Sequence, residues 1–164
     1  MVKYLIIGNG VAGVRAAEVI RKYDFSGSMV MISEEEYPFY YRPFLPEYVA
    51  GQVAEDKLWA KPKDFYIYHN IGLTLGKKVV KVLPAEKLVC LADGENIPYD
   101  TLLIATGGNP APLCCPGSDA DGVGHLKTLA DAKKLREKVT GVSAVVVIGT
   151  GVLGLELIDT FIKC

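Results

Sequence analysis

Two glycine patterns could do chemistry in this chain. The first, within YLIIGNGVAGVRAAEVIRKY, sets Gly8, Gly10 and Gly13 between the apolar run Tyr4 to Ile7 and an alanine-rich stretch with helical spacing. The second, within AVVVIGTGVLGLELIDTFIKC, repeats the construction with Gly149, Gly151 and Gly154. In such a strand–turn–helix the first glycine permits a tight turn and the second lets backbone reach a pyrophosphate. The third lets the helix pack close on the strand. The helix N-terminus then faces the anion, which in the first copy brings Val11 and Ala12 to the site beside the glycines. A lone Gly-x-Gly-x-x-Gly is weak, but both copies here follow an apolar strand pattern and open a helical one, the context the motif requires. The chemistry expected of them is nucleotide binding.

A dinucleotide site of this kind also needs an acid after the second strand for the ribose hydroxyls, about twenty residues past the glycines. Glu34, Glu35 and Glu36 stand there. Read plainly the triplet is a solvated charge run, and two of the three fit that reading. Counting back from Arg42-Pro43 makes Glu35 the best ribose ligand, with Glu34 kept beside it. Arg42, between tyrosines and before proline, is either a surface cation or a fixed positive group for phosphate, a task that suits a bidentate guanidinium.

The elements that must hold these residues are legible in the hydrophobic pattern. A strand over Lys3 to Ile7, a helix from Val11 to about Lys22 and a strand over Ser28 to Ser33 form a βαβ unit, whose crossover should be right-handed. YPFYYRPFLPEYVAGQ then reads as an irregular segment with a short helix. Of Tyr37, Phe39, Tyr40 and Tyr41, at least two are expected to be ordinary packing under the loop. After a short helix around Pro62 to His69, alternating Val80, Val82, Leu88, Val89 and Leu91, broken by Gly76, Pro84 and Asp93-Gly94, signal a meander. Thr101 to Ala105 should rejoin the parallel sheet, buried on both faces. A Pro/Gly/Asp-rich linker follows, and Thr128 with Asp131 begins a helix to about Val139. The fold class is α/β, Rossmann-like, with a parallel sheet plus a β-meander. The pattern divides into 1–110, holding the first glycine turn, 111–141 as linker and helix, and 142–164 as the strand and helix of the second glycine turn.

Composition narrows the partners. Half of the 164 residues are hydrophobic and the net charge is −1. With no basic run, nothing points to nucleic acid or an anionic membrane. No apolar stretch approaches the ~18 residues of a membrane span, so a cytoplasmic protein is expected. Cys90, Cys114, Cys115 and Cys164 show neither CxxC nor metal-ligand spacing, and His69 and His125 are the only imidazoles. The thiols read as structural or incidental, with no metal site.

Taken in order, Gly8-x-Gly10-x-x-Gly13, EEEYPFYYRPFL, YDTLLIATGGNP, LKTLADAKKL and Gly149-x-Gly151-x-x-Gly154-x-Glu156 resemble the FAD-dependent pyridine nucleotide-disulfide oxidoreductases, over the whole chain. The resemblance implies that the first motif holds the FAD pyrophosphate and that the acid after the second strand holds the adenosine ribose. Arg42-Pro43 would lie toward pyrophosphate and flavin. Val79 and Ala105-Thr106-Gly107 would also contact cofactor, and the second motif with Glu156 would begin the NAD(P)H side. Glu156 has an alternative reading as an acid stabilised by its helix dipole. Members of this family look more than twice as long and return to the FAD domain through a later Gly-Asp motif. The resemblance therefore makes 1–110 an FAD-binding domain lacking its return segment, 111–141 a linker and helix, and 142–164 the first strand and helix of a truncated NAD(P)H-binding domain, a piece expected to be inactive alone.

Disulfide-reducing and peroxide-reducing branches carry cysteine near the second strand, and this chain has none between Ser33 and Gly51. The resemblance is therefore to the branch passing single electrons onward: rubredoxin reductases, ferredoxin reductases and the NADH-oxidising part of nitrite reductase. Ferredoxin reductases usually show Ser-Lys where this chain has Pro46-Glu47, which leans it toward the rubredoxin- and nitrite-reductase-like members. Hydride would pass from NAD(P)H to FAD, and electrons from there to a redox protein. The alternatives are a non-catalytic FAD or adenine-nucleotide module, an NADH oxidase or disulfide-reductase-like member, and a homo-oligomer formed through an incomplete C-terminal sheet.

Overall fold

The computed structural model describes residues 3–163, so Cys164 lies outside the described residues. Two compact units emerge, one comprising the chain up to Tyr40 with Lys61–Gly108, the other Tyr41–Ala60 with the chain from Asn109 onward.

The first unit is built on a four-stranded parallel sheet of β1 (Lys3–Ile7), β2 (Ser28–Ile32), β3 (Gly72–Thr74) and β7 (Thr101–Ile104), in the order β3-β2-β1-β7. The run of apolar residues in β1 is explained by its central place, because the two faces of a covered parallel sheet both need burial. Ile6 joins Val14 and Ala17 of α1 (Val11–Tyr23) and Phe65 and Tyr66 of α3 (Phe65–Tyr68) in one core. Leu5 and Ile7, on the alternate face, pack with Val89, Leu91 and Tyr99. The latter residues come from the antiparallel meander of β4 (Val79–Leu83), β5 (Leu88–Leu91) and β6 (Asn96–Pro98) and from the turn into β7. Helices thus cover one face and the meander the other.

Burial of Thr101 to Ala105 on both faces is corrected. β7 pairs with β1 at the edge of its sheet, and its burial is uneven: Thr101 and Ile104 are exposed, Leu102 and Leu103 half-buried. Leu102 packs on the meander side and Leu103 on the helix side.

Among the described residues the second unit has α2 (Leu45–Val49), α4 (Leu129–Val139) and α5 (Val152–Lys163), with single 3-10 turns at Arg42–Phe44 and Glu55–Lys57. Leu45, Tyr48, Val49, Leu126, Leu129 and Ala132 are buried. The Arg136 guanidinium lies 4.9 Å from the Tyr48 ring centroid, and Lys133 pairs with Glu55 at 2.9 Å. α4 begins with the capping box that Thr128 and Asp131 promised: each side chain accepts from the other's backbone N–H.

The strand expected after Ser143 is not formed. Residues 144–150 adopt no strand, and Val145, Val146 and Ile148 are 45%, 86% and 72% exposed. β-branched residues favour a strand only where a neighbour pairs with their backbone. Among the described residues the second unit contains no other strand to do so.

Candidate functional site

In open α/β sheets ligands bind beyond the carboxyl ends of the strands, where the strand order reverses. Here the reversal falls at β1, since β2 and β3 extend the sheet to one side while β7 lies on the other. The carboxyl end of β1 leads into Gly8, and that of β7 into Ala105, Thr106 and Gly107. The Ala105 N–H donates to the Ile7 carbonyl at 2.7 Å and joins the ends of β1 and β7, while the Gly8 N–H donates to the Ile32 carbonyl of β2 at 2.8 Å. Ala105 is half-buried, while Thr106 and Gly107 are exposed, with Gly107 at φ +70°.

Each glycine of the first turn has its own reason. Gly8 stands at φ +114°, and a Cβ there would lie 2.1 Å from the Ala105 carbonyl oxygen. A Cβ on Gly13 would lie 2.0 Å from the Gly8 carbonyl oxygen. Gly10 differs: its backbone is extended, and a Cβ would meet nothing within 4 Å. Protein packing thus demands the first and third glycines, whereas the second borders open space, a cradle that a methyl group would fill. Into that space points the start of α1, which has no side-chain cap and no acid in its first turn. Val11 and Ala12 there are exposed. The open helix end offers backbone N–H groups and the positive end of its dipole. α4, with its capping box, shows how this chain closes a helix end, and α1 is left open. An anionic pyrophosphate fits this donor set.

The acids after β2 have different surroundings. Glu34 forms an exposed ion pair with Lys78 at 2.9 Å. Glu35 is half-buried, and its Oε2 accepts a 2.6 Å hydrogen bond from the hydroxyl of Tyr40, a residue only 4% exposed. The Glu35 backbone is fixed as well, its N–H donating to Ser33 Oγ and its carbonyl accepting from Gly76. Val79 opens β4, half-buried against the meander core.

Tyr40 is therefore core and a positioning group for Glu35. Phe39 packs on the helix-side core, and Tyr41, in the second unit, meets Phe44 edge-on at 5.7 Å. Arg42 and Pro43 belong to that second unit, where Arg42 Nη1 donates to the Lys127 carbonyl at 2.7 Å. Lys127 Nζ in turn reaches Asn109 Oδ1 at 2.6 Å. The cysteines Cys90, Cys114 and Cys115 are free thiols.

The second turn repeats the first in detail. Gly149 stands at φ +119°, a Cβ on Gly154 would come 2.2 Å from the Gly149 carbonyl oxygen, and one on Gly151 would meet nothing within 4 Å. The turn keeps its shape although the strand before it is not formed. α5 too has no acid in its first turn. Glu156, exposed, lies one residue beyond that turn, where the helix dipole no longer holds it strongly.

Sequence reasoning missed Asn9 and Tyr66. Asn9 hides as a variable position inside the motif, and its Oδ1 accepts from the Tyr66 hydroxyl at 2.8 Å across 57 residues. No periodic signal marks that pairing.

These features define a Rossmann-like dinucleotide-binding fold, carrying a second glycine turn of the same build. The chain belongs to the family described as pyridine nucleotide-disulphide oxidoreductases, whose family model matches residues 2–164. FAD and NAD(P)H are the cofactors of that family. Over 154 residues it is 38% identical to a rubredoxin-NAD(+) reductase of Pseudomonas putida, covering 93% of this chain and 40% of that one. The fold matches an NADH:rubredoxin oxidoreductase from Clostridium acetobutylicum with a TM-score of 0.87 at 33% identity, over 99% of this chain and 42% of the other. A ferredoxin reductase from Rhodopseudomonas palustris gives a TM-score of 0.91 at 30% identity, over 98% and 40% respectively. The chain thus spans about two-fifths of the length of the relatives it matches. Among the described residues no helix is long and apolar enough to cross a membrane.

Proposed function

We propose that this chain holds FAD in its first unit and begins the NAD(P)H-binding part of a flavoprotein reductase that delivers electrons to a redox protein of the rubredoxin or ferredoxin kind, or to a nitrite-reductase-like centre. The observation that carries the reading is the cradle at Gly10 before an uncapped helix, beside a fixed acid at the end of β2. Within it, Gly8, Gly10 and Gly13 shape the turn, the N–H groups at Val11 and Ala12 take the pyrophosphate, and Glu35, steadied by Tyr40, accepts from the adenosine ribose. Glu34 sits one residue outside, and Ala105, Thr106 and Gly107 border the turn at the end of β7. Arg42, Pro43 and Val79 are assigned to the cofactor on the strength of the family pattern, as are Gly149, Gly151, Gly154 and Glu156 to the nicotinamide nucleotide. Bound FAD supplies the acceptance of a hydride and the release of electrons one at a time. The chain's own task is orientation and neutralisation of charge.

In domain terms we assign 1–110 to FAD binding, 111–141 to a linker and helix, and 142–164 to the beginning of the NAD(P)H-binding part. A reductase drawing on NAD(P)H would work in the cytoplasm. We further propose that the chain self-associates through residues 145–148 and the apolar side chains Val152, Leu155 and Ile162 of α5, which are 75%, 59% and 80% exposed. Titration with FAD tests the main reading: flavin fluorescence should quench saturably at one FAD per chain, and a chain that leaves it unquenched refutes the assignment.

A second reading, a module that retains FAD without turnover, is favoured by one observation, the missing strand before the second turn. NADH added to the FAD-loaded chain without oxygen separates the two: bleaching of the flavin band supports the reductase, and an unchanged band supports the module.

A further inference from the structure

We propose that Tyr66 is a positioning residue for the pyrophosphate site, holding the side chain of Asn9 away from the open end of α1. The inference rests on the FAD reading of the first turn and adds a residue from outside the glycine motif.

Asn9 stands between Gly8 and Gly10, two residues before Val11, the first residue of α1. An asparagine at that spacing readily folds back, its side-chain oxygen accepting from the backbone N–H two residues on. Such a bond would close one of the N–H groups the anion needs. The structure shows the oxygen committed elsewhere: Asn9 Oδ1 accepts from the Tyr66 hydroxyl at 2.8 Å, and Asn9 Nδ2 reaches the Tyr37 carbonyl at 3.5 Å. The Tyr66 hydroxyl in turn accepts from the Phe39 N–H at 3.1 Å. A phenol has one proton, so a hydroxyl that accepts from Phe39 has that proton to give to Asn9.

Tyr66 is well placed for this. It is 7% exposed, packed in the core with Ile6, Val14 and Met31, with the Phe65 ring edge-on at 5.1 Å. Burial pushes its phenol up from the ordinary tyrosine value, so it remains a donor throughout the neutral range. The ring anchors the hydroxyl in the core while the hydroxyl reaches the turn, so the core holds the loop in its anion-ready form.

The test is a double-mutant cycle read by FAD quenching. Tyr66→Phe keeps the ring and removes the proton. In the parent sequence it should weaken FAD roughly tenfold, the worth of about one hydrogen bond. In an Asn9→Ala background, with no side chain to fold back, the same change should matter less than about twofold. No loss in the parent, or an equal loss in both backgrounds, overturns the proposal, because loss of the Phe39 contact alone acts equally in each. Hydrogen exchange without ligand gives an independent answer. The Val11 amide should exchange more slowly in Tyr66→Phe than in the parent, and equal rates overturn the inference. A parent chain that fails to bind FAD refutes the cofactor assignment, and the exchange result still decides the role of Tyr66.

Discussion

Substituting the second and third glycines of the first turn separates the demands of the fold from those of the ligand. In Gly13→Ala the new methyl would lie 2.0 Å from the Gly8 carbonyl oxygen, 3.2 Å from its carbon and 3.3 Å from Ile6 Cγ2. Backbone lies on the near side and cannot rotate away, so α1 must shift by about 1 Å or the turn must rebuild. Overpacking of this kind costs typically about 1–3 kcal/mol, and a backbone clash belongs at the upper end. For a chain of this size that corresponds to a fall in Tm of roughly 6–12 °C. In Gly10→Ala the methyl meets nothing within 4 Å, and φ −95° with ψ −171° suits any residue. Only the weaker N-cap preference of alanine remains, about 0.5–1 kcal/mol, or a few degrees. The ligand ranks the two the other way: the Gly10 methyl occupies the cradle itself and should weaken FAD by at least about tenfold. Thermal melting followed by circular dichroism, with fluorescence titration of FAD, measures both. A Gly13→Ala chain melting with the parent would disprove the close approach of helix to strand. A Gly10→Ala chain binding FAD as the parent does would disprove the cradle.

Other consequences can be tested on the same preparations. Glu35→Ala should lower FAD affinity several-fold and Tyr40→Phe by less, while Glu34→Ala should do little, because its exposed pair with Lys78 is of the kind worth under about 1 kcal/mol; equal effects of the two glutamate changes reduce the pair to a charge run. Burial works against the charged form of Asp131, but hydrogen bonds from Thr128 and the Lys127 N–H outweigh it and hold the carboxyl below the ordinary aspartate range. A depressed folded value stabilises above the unfolded one and is lost as pH falls through it, so the stability margin of the parent over Asp131→Asn should shrink between pH 5 and about pH 3. A margin constant over that range excludes the charged cap. Light scattering should show concentration-dependent association of the chain, reduced by Val146→Lys; a monomer at every concentration rules out the self-association of the C-terminal segment.

What the sequence determined by itself is what a few neighbouring residues can enforce. Gly149 at φ +119° and the near contact of Gly154 with Gly149 appear although the strand before them does not, because the turn's geometry is written into spacing and the lack of side chains. Thr128 and Asp131 close α4 for the same local reason. The meander follows from alternation and turn residues within some twenty positions. Tertiary structure decided what depends on distant neighbours. The run Ala144 to Ile148 has strand propensity, but a strand exists by pairing, and that partner is no local property. Thr101 to Ile104 has the composition of an interior strand and lies at an edge. Counting back from Arg42-Pro43 favours Glu35 among three consecutive glutamates, but only folding supplies the Tyr40 hydroxyl that fixes its carboxylate. Asn9 is an arbitrary letter in the motif until folding brings Tyr66 against it from 57 residues away, since packing compares positions in space and sequence spacing compares them only along the chain.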